Sequence, residues 1–296
     1  MEKNYAEIFE KLVQGTQDYI VGNNLRAMVL GISGGIDSTV VAAICHEVAK
    51  RTNIPLIGRS LPTKYNKEGE TTAADLVGNA FCNDYKVFNI NQIYHNYITE
   101  IIFKESGEVN YDIDYDGKIT YVQDDFLSPI AKGNIQARLR MIYLYNLASI
   151  HGGLVMDTDN LTENNLGYFT IHGDVGDFNP IGGLWKTEVF ELAEWLFKYY
   201  QNGFGNELHQ AYAVKKSMEL KPTAGLGITN NDLEEIGAES YDQVDRILQC
   251  LTNSSVSTDT IDDIPDAILE AVVKRHNASK FKRKQLPIKI TRDEIV

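Results

Sequence analysis

Short apolar runs alternate with longer stretches of helical period along the first half of this chain, and this alternation limits the folds that it can adopt. The apolar runs are AMVLGI, IPLIGRSLP, YKVFNI and GLVMDT. The helical stretches are residues 5–20 and then TVVAAICHEVAKR, KEGETTAADLVGNAFC, NQIYHNYITEIIF and NIQARLRMIYLYNLASIHG. Strands that alternate with helices form a parallel sheet with helices on both faces. The sequence therefore predicts a doubly wound α/β fold, followed beyond residue 200 by a mainly helical part.

One polar stretch interrupts the alternation. Residues 105–125, ESGEVNYDIDYDGKITYVQDD, contain an Asp-Gly pair between two short β-like runs, which predicts a surface hairpin or a flexible excursion. A second polar stretch, TNSSVSTDT at residues 252–260, is predicted to be a linker. The sequence contains no internal repeat or low-complexity tract, and its length fits one large domain or two small ones.

The charge balance excludes one class of function. The chain has 296 residues, with 28 Lys and Arg against 41 Asp and Glu, and a net charge of −13. A general nucleic-acid surface needs clustered positive charge, so nucleic acid is not an expected partner. The one basic run, SKFKRKQLP at residues 279–287, is expected to be a solvated tail.

Cysteine usage and the apolar runs predict the compartment. Cys45, Cys82 and Cys250 are far apart and lack CxxC spacing, which favours neither a disulfide framework nor a zinc site. The N-terminal stretch carries acidic residues, unlike a signal peptide. No run reaches the roughly 20 apolar residues of a membrane helix. We therefore expect a cytoplasmic protein with no membrane partner.

The glycine-rich turn SGGIDS (33–38) lies between the first predicted strand and its helix. Amide groups at such a helix N-terminus bind phosphate. The dinucleotide pattern GxGxxG is missing. The P-loop pattern fails as well, because no lysine precedes Ser38 or Thr39. A carboxylate beside phosphates needs a cation between them, and Mg²⁺ binds through one or two carboxylates plus substrate phosphates. Asp37 is thus a predicted metal ligand; the alternative is that Asp37 or Ser38 only caps the helix.

A second polar segment also follows a predicted strand. The run DTDN (157–160) follows the fourth predicted strand, as the glycine turn follows the first. Ligands bind at the carboxyl ends of strands in such sheets. The two segments are therefore predicted to face one site.

The string SGGxDS matches the pyrophosphatase-loop signature of ATP-dependent ligases that form acyl-adenylates. Four further strings follow it in order: GNIQARLRMIYLYNLA, DTDNLTENNLGYFT, HGDVGDFNPIGGLWKTEV and KPTAGL. Together they resemble the NAD synthetase family over nearly the whole chain, which implies that residues 1–296 form a single domain. The resemblance implies an adenine-nucleotide alpha-hydrolase-like fold, Mg²⁺ as cofactor, ATP as co-substrate and a homodimer. It also implies that deamido-NAD is activated as an adenylate and amidated by ammonia, giving NAD, AMP and pyrophosphate.

The resemblance also implies a role for individual residues. Asp37 and Lys186 match catalytic positions, and Asp37 and Glu163 match the magnesium ligands. Arg138, Asp177 and Lys282 match substrate-binding positions. The ATP-binding positions are matched by Gly31, Ile32, Ser33, Gly34, Gly35, Ile36, Asp37, Ser38, Thr158, Lys186 and Thr223.

Each of these residues also has a structural explanation. Glu163 lies in the first turn of a helix predicted to begin near Thr158 or Asp159, where an acid favours the helix dipole. Arg138 alone could be an ordinary surface cation, and Thr223 a turn residue. Lys186 is different, because it opens a predicted helix, where a cation is mildly unfavourable.

Three departures from the family pattern concern the substrate side. Ile171 stands where the family usually has lysine, GDVGD stands for the common GDGGxD, and Phe281-Lys282 stands for His-Lys. The residues that match the adenylation apparatus are unchanged. Two other functions stay open: a different adenylating ligase with the same loop, and a nucleotide-binding regulator without catalysis. Ammonia is the expected nitrogen donor, because all three cysteines are predicted to be packing residues.

Overall fold

The computed structural model describes residues 3–102, 111–113, 119–121, 127–203, 207–220, 232–285, 288–289 and 292–295. The eight strands of the described residues are β1 (Met28–Gly31), β2 (Leu56–Ser60), β3 (Asp84–Val87), β4 (Tyr111–Ile113), β5 (Ile119–Tyr121), β6 (Leu154–Met156), β7 (Phe178–Asn179) and β8 (Ile288–Lys289). Six of them form a central sheet in the order β3-β2-β1-β6-β7-β8, in which every neighbouring pair is parallel. The predicted parallel α/β sheet is confirmed.

Helices precede, separate and follow the strands. Those of the described residues are α1 (Tyr5–Gly22), α2 (Ile36–Thr52), α3 (Glu68–Phe81), α4 (Asn91–Tyr97), α5 (Pro129–His151), α6 (Leu161–Leu166), α7 (Lys186–Gln201), α8 (Leu208–Met218), α9 (Asp232–Ile236), α10 (Tyr241–Thr252), α11 (Asp266–Ala278) and α12 (Arg292–Ile295). A π-helical turn, Ile98–Ile102, follows α4, and 3-10 turns cover Thr258–Ile261 and Lys282–Gln285.

The two faces of the sheet carry different helices. In β1, Met28 and Leu30 belong to the large core shared with α1, α2, α3, α7 and α8. Val29 belongs to a second core with Met141 and Leu144 of α5. Successive side chains of a strand point to opposite faces, so β1 is apolar throughout because both its faces are covered.

The C-terminal helices build a third core. Leu166 and Trp185, beside α6 and α7, pack there with Val244 and Ile247 of α10 and with Val272 of α11. The predicted helical part beyond residue 200 is confirmed for the residues that the structure describes. This core places α10 against the start of α7.

Several local predictions are refined by the structure. The excursion contains an antiparallel pair, β4 and β5, as the Asp-Gly signal predicts. The short strands β7 and β8 were not predicted. The basic run is not simply a solvated tail: Lys282 and Arg283 are partly buried and donate hydrogen bonds to main-chain carbonyls. Among the described helices, none combines the length and apolar character needed to cross a membrane.

Candidate active site

The carboxyl ends of β1 and β6 lie side by side. These strands are parallel neighbours, with Met28 opposite Leu154 and Leu30 opposite Met156. The glycine turn leaves β1 and the segment 157–160 leaves β6, so both emerge at one edge of the sheet. The side chain of Asn160 donates from Nδ2 to Oδ1 of Asp37 over 2.9 Å. The prediction that the two segments face one site is confirmed.

The glycine turn is held tightly but leaves its helix end open. Gly34 has φ +83°, and a Cβ there would lie 2.5 Å from the Glu70 carbonyl oxygen of α3. Ser33 Oγ lies 2.9 Å from Ser38 Oγ and accepts from the Gly35 amide. The N-cap of α2 is Gly35, which makes no side-chain capping bond. The cap explanation for Asp37 and Ser38 is therefore wrong, and the first amides of α2 are available to an anion.

Three charged side chains from three elements meet beside this turn. The ammonium Nζ of Lys186 donates to Asp37 Oδ2 over 2.6 Å and to Glu163 Oε1 over 3.0 Å. Lys186 is only 1% exposed, whereas the side chains of Asp37 and Glu163 are 18% and 16% exposed. We call Asp37, Asn160, Glu163 and Lys186 the carboxylate–lysine cluster. It brings together both predicted metal ligands and the predicted catalytic lysine.

Asn160 organises the cluster and was missed from the sequence. It is fully buried, and its Oδ1 accepts from the Glu163 amide over 3.0 Å while its Nδ2 bonds Asp37. Glu163 Oε2 in turn accepts from the Asn160 amide over 3.2 Å. This capping box starts α6 at Leu161, two or three residues later than predicted. The signal was readable, since Asn followed three residues later by Glu marks a helix start.

The charge state of Lys186 follows from two opposed effects. Burial lowers the pKa of a lysine, because the low dielectric disfavours its charged form. The charges of Asp37 and Glu163 act against this, and the pKa of Lys186 is held well above its usual value. Its ammonium also lies 5.6 Å from the ring centre of Tyr241 in α10. Lys186 is therefore a fixed positive charge at neutral pH.

Two further carboxylates, the buried Asp159 and the half-buried Asp174, have raised pKa values. Burial, together with the charges of Asp157, Asp174, Glu163 and Asp37, raises the pKa of Asp159 well above its usual value. Within the described part of the chain, Asp159 Oδ2 has no hydrogen-bond partner. Burial also raises the pKa of Asp174 to about 6, although the Thr170 amide bonds it. Such a concentration of carboxylates attracts cations, among them Mg²⁺ and ammonium.

Asp157 fixes the exit from β6. Its Oδ1 accepts from the Asp159 amide over 2.7 Å and from Asn179 Nδ2 over 2.9 Å, and its Oδ2 accepts from the Gly176 amide over 2.6 Å. Thr158, a predicted ATP-binding residue, is therefore placed between two residues of a rigid turn and is partly buried. Thr223 lies outside the described residues.

The predicted substrate-binding residues surround the Gly167–Asp177 segment. Arg138 is exposed on α5, and its Nη2 donates to the Ile171 carbonyl over 3.4 Å. Lys282 Nζ donates to the carbonyls of Gly167 over 2.7 Å and Phe169 over 2.5 Å. Asp177 Oδ2 accepts from the Val155 amide of β6 over 2.9 Å. All three charged groups therefore bond main-chain atoms in this structure.

The donor set of the cluster fits a magnesium ion. Among the described residues, no group of three or more His, Cys, Asp or Glu is placed to hold a metal by itself. The ammonium of Lys186 nevertheless bonds one oxygen of Asp37 and one of Glu163, so both carboxylates reach a single cation. Two carboxylates plus phosphate oxygens and water is the set that Mg²⁺ takes in nucleotide sites.

Comparison with known proteins gives consistent matches. The family model described as NAD synthase matches residues 8–286. The NH(3)-dependent NAD(+) synthetase of Thermococcus sibiricus is 32% identical over 289 residues, which are 96% of this chain and 97% of that protein. The solved NMN synthetase from Francisella tularensis has a TM-score of 0.71 at 27% identity, with 95% and 97% of the two chains covered. The NH3-dependent NAD synthetase of Campylobacter jejuni subsp. jejuni, solved with nitrate, has a TM-score of 0.66 at 25% identity, covering 96% and 98%.

Proposed function

The chain belongs to the NAD synthase family, and we infer that it is an ammonia-dependent NAD synthetase. It uses ATP to activate the nicotinate carboxylate of deamido-NAD as an acyl-adenylate, and ammonia then displaces AMP to form the amide of NAD. The observation that carries this conclusion is the family match over residues 8–286, found in a chain whose Asp37, Glu163 and Lys186 meet at the strand ends.

The first half of the reaction requires the ATP phosphates to be held with the α-phosphorus facing the carboxylate. We propose that the glycine turn, residues 31–38, binds these phosphates through the open amides of α2. The positive end of the helix dipole favours the negative charge. Thr158 and Thr223 are proposed to complete the ATP site.

Charge gathers on the α-phosphate and on the leaving pyrophosphate during adenylation. Asp37 and Glu163 are proposed to hold Mg²⁺, which when bound supplies positive charge that stabilises phosphate oxygens. Lys186 adds a second positive charge from a buried position, where electrostatic stabilisation is strong because water is excluded. Asn160 keeps Asp37 and Glu163 oriented toward the same place.

Substrate recognition is proposed to involve the Gly167–Asp177 segment. The exposed guanidinium of Arg138 is suited to a phosphate of the dinucleotide. Lys282 and Asp177 bond the main chain at the two ends of the segment, so we propose that they act on the substrate by fixing the segment's shape. Phe281 is exposed, whereas Lys282 is partly buried, and only the second can hold the segment.

A second candidate differs in the size of the substrate. One of the matched structures is an NMN synthetase, and Ile171 replaces the lysine that the family usually offers to the dinucleotide. The same residues could amidate nicotinate mononucleotide, because the reacting carboxylate is the same. Deamido-NAD remains the substrate that the matched relatives favour, and a direct comparison of the two nucleotides decides between them.

We propose a cytoplasmic homodimer. Ile142 and Ile150 of α5 are 62% and 74% exposed. Exposed apolar side chains along one helix are suited to contact with another subunit, and a second copy of this chain is the partner that the family resemblance implies. Sedimentation of the wild type and of an Ile142→Glu variant tests this interface.

One assay tests the function. The purified chain is incubated with ATP, Mg²⁺, ammonium chloride and either nicotinate nucleotide, and the products are separated by chromatography. Deamido-NAD should give NAD, and nicotinate mononucleotide should give nicotinamide mononucleotide, each together with AMP and pyrophosphate. Turnover at fixed total ammonium should rise toward mildly alkaline pH, because only unprotonated ammonia attacks the adenylate. ADP as the main product, or equal NAD formation from ammonia-free glutamine, would contradict the assignment.

A further inference from the structure

A buried aspartate from the C-terminal helices lies behind the catalytic lysine. Asp245 of α10 is 1% exposed, and Thr162 of α6 is equally buried. Thr162 Oγ1 donates to Asp245 Oδ1 over 2.5 Å, and Thr162 Oγ1 also accepts from the Lys186 amide over 2.8 Å. One hydroxyl therefore links the first residue of α7 to a carboxylate on α10.

The second oxygen of Asp245 bonds the next residue of α7. Its Oδ2 accepts from the Thr187 amide over 2.9 Å. Two consecutive amides at the N-terminus of α7 are thus linked to the Asp245 carboxylate. The Thr187 amide bonds it directly, and the Lys186 amide is linked to it through the Thr162 hydroxyl. An anion at this position also favours the helix dipole.

The same helix α10 also meets the other end of the lysine side chain. Tyr241 lies one helical turn before Asp245, and its ring centre is 5.6 Å from the ammonium of Lys186. The backbone of Lys186 is therefore held through Asp245, and its charged end is held against Tyr241. Both contacts come from α10, whereas Asp37 and Asn160 lie in segments that follow strands of the sheet.

The link through Thr162 has a geometric consequence for the cluster. Thr162 precedes Glu163, whose Oε1 is 3.0 Å from the Lys186 ammonium. Asp245 bonds both Thr162 and the start of α7. It therefore also fixes the distance between Glu163 and Lys186. Small errors in such spacing are costly, because electrostatic stabilisation depends on fixed distances.

We propose that Asp245 is a positioning residue for catalysis, which holds Lys186 and Glu163 in register through the hydroxyl of Thr162. The proposal rests on the proposed role of Lys186 in adenylation. Asp245 does not touch substrate; it acts through Thr162 and through the α7 amides. Its loss should therefore lower kcat and leave the KM for ATP nearly unchanged.

Two substitutions remove the link in different ways. Thr162→Val keeps the shape of the side chain and removes the hydroxyl. Asp245→Asn replaces one of the two acceptor oxygens with an NH2 group, which cannot accept a hydrogen bond from either Thr162 or the Thr187 amide. Each should lower kcat about 10- to 100-fold, the usual loss when a residue supporting a site is changed. The double variant should be little worse than either single variant, because both break one connection.

Two matched controls separate positioning from stability. Thr162→Ser keeps the hydroxyl and should restore most of the activity. Asp242→Asn changes an exposed carboxylate on the same helix, where Asp242 pairs with Arg246, and should stay within about twofold of wild type. Urea unfolding of every variant gives the folded fraction, and kcat is expressed per folded molecule.

The outcomes distinguish this proposal from the proposed function. Wild-type kcat in both Thr162→Val and Asp245→Asn would overturn the positioning role and leave the enzyme assignment intact. The same holds if kcat falls as much in Asp242→Asn as in Asp245→Asn. A loss that vanishes when kcat is expressed per folded molecule would also overturn it. If the wild-type chain forms no amide from either nicotinate nucleotide, the enzyme assignment fails first.

Discussion

The carboxylate–lysine cluster and the Gly167–Asp177 segment both contain buried or half-buried charges, but the charges have different partners. In the cluster, side chains bond other side chains, as in the contacts of Lys186 with Asp37 and Glu163. Around the segment, Lys282 and Asp177 bond main-chain atoms. The first arrangement presents a set of charges to a ligand, whereas the second sets the path of the backbone. We therefore expect substitutions in the first region to reduce chemistry and those in the second to reduce substrate affinity.

The largest expected effect is the loss of either carboxylate. Asp37→Asn and Glu163→Gln keep the size of each side chain and remove its charge, and each should lower kcat about 10²- to 10³-fold. Steady-state assays with deamido-NAD measure this. The double variant should resemble the singles, because residues that act as one unit give non-additive losses. Glu194→Gln on the exposed face of α7 is the control, and near wild-type turnover in both single variants would refute the shared metal role.

Removing the lysine should reveal the cation site without any activity measurement. Lys186→Met leaves two carboxylates facing each other, which should reduce the free energy of unfolding by about 2 to 3 kcal/mol in EDTA. Mg²⁺ should then raise the melting temperature of this variant more than that of the wild type, because a bound cation stabilises the folded state. The exposed Lys198→Met on the same helix is the control. An equal rise in melting temperature with Mg²⁺ for the wild type, Lys186→Met and Lys198→Met would contradict the proposed cation site.

A smaller effect is expected from the charge of Asp245. Burial raises the pKa of this carboxyl to about 6, although Thr162 and Thr187 bond it. The folded protein therefore keeps a proton that the unfolded chain has lost, and this advantage declines as pH rises from about 4 to about 6. Compared with Asp245→Asn, the wild type should lose about 1 kcal/mol of stability between about pH 5 and pH 7.5. Urea unfolding at both pH values checks this, and a pH-independent difference would contradict it.

The smallest expected effect on kcat concerns the Gly167–Asp177 segment. Lys282→Met removes the charge-assisted hydrogen bonds to the carbonyls of Gly167 and Phe169, which are worth about 1.5 kcal/mol. The KM for deamido-NAD should rise about 3- to 10-fold while kcat stays within about twofold. Lys280→Met, an exposed neighbour in the same basic run, should leave both constants unchanged. A fall in kcat as large as that of Asp37→Asn would remove the distinction between the two regions.

Periodicity predicted the longer helices and strands, because their buried apolar residues recur at the spacing of a helix or of a strand. The first helix shows this: Ile8, Leu12 and Ile20 were placed on one face and are buried in α1. The strands β7 and β8 escaped prediction because two residues carry no period. The roles of Lys186, Asp37 and Glu163 were predicted from the family resemblance, and the place of Lys186 at a helix start favoured a functional role. The contact of its ammonium with both carboxylates was not predicted.

Other parts of the site could not be predicted from local pattern. Lys282 lies in a run of basic residues. Neither its neighbours nor the composition predicts that its ammonium bonds the carbonyls of Gly167 and Phe169. Asp245 sits in an amphipathic helix as one acid among several, and only the packing of α10 against α7 distinguishes it from the exposed Asp242. Such roles depend on contacts between distant segments, which a single sequence does not display.

The cluster joins segments that follow two strands far apart along the chain, and this has a consequence for refolding. Asp37 and Lys186 are separated by 149 residues, and Asp37 approaches Asn160 only when β1 lies beside β6. Helices form from local contacts within about a microsecond, whereas pairing of remote strands must first close a long loop. After dilution from urea, far-UV ellipticity should therefore recover before turnover does. The appearance of product would time the moment at which the centre of the sheet closes.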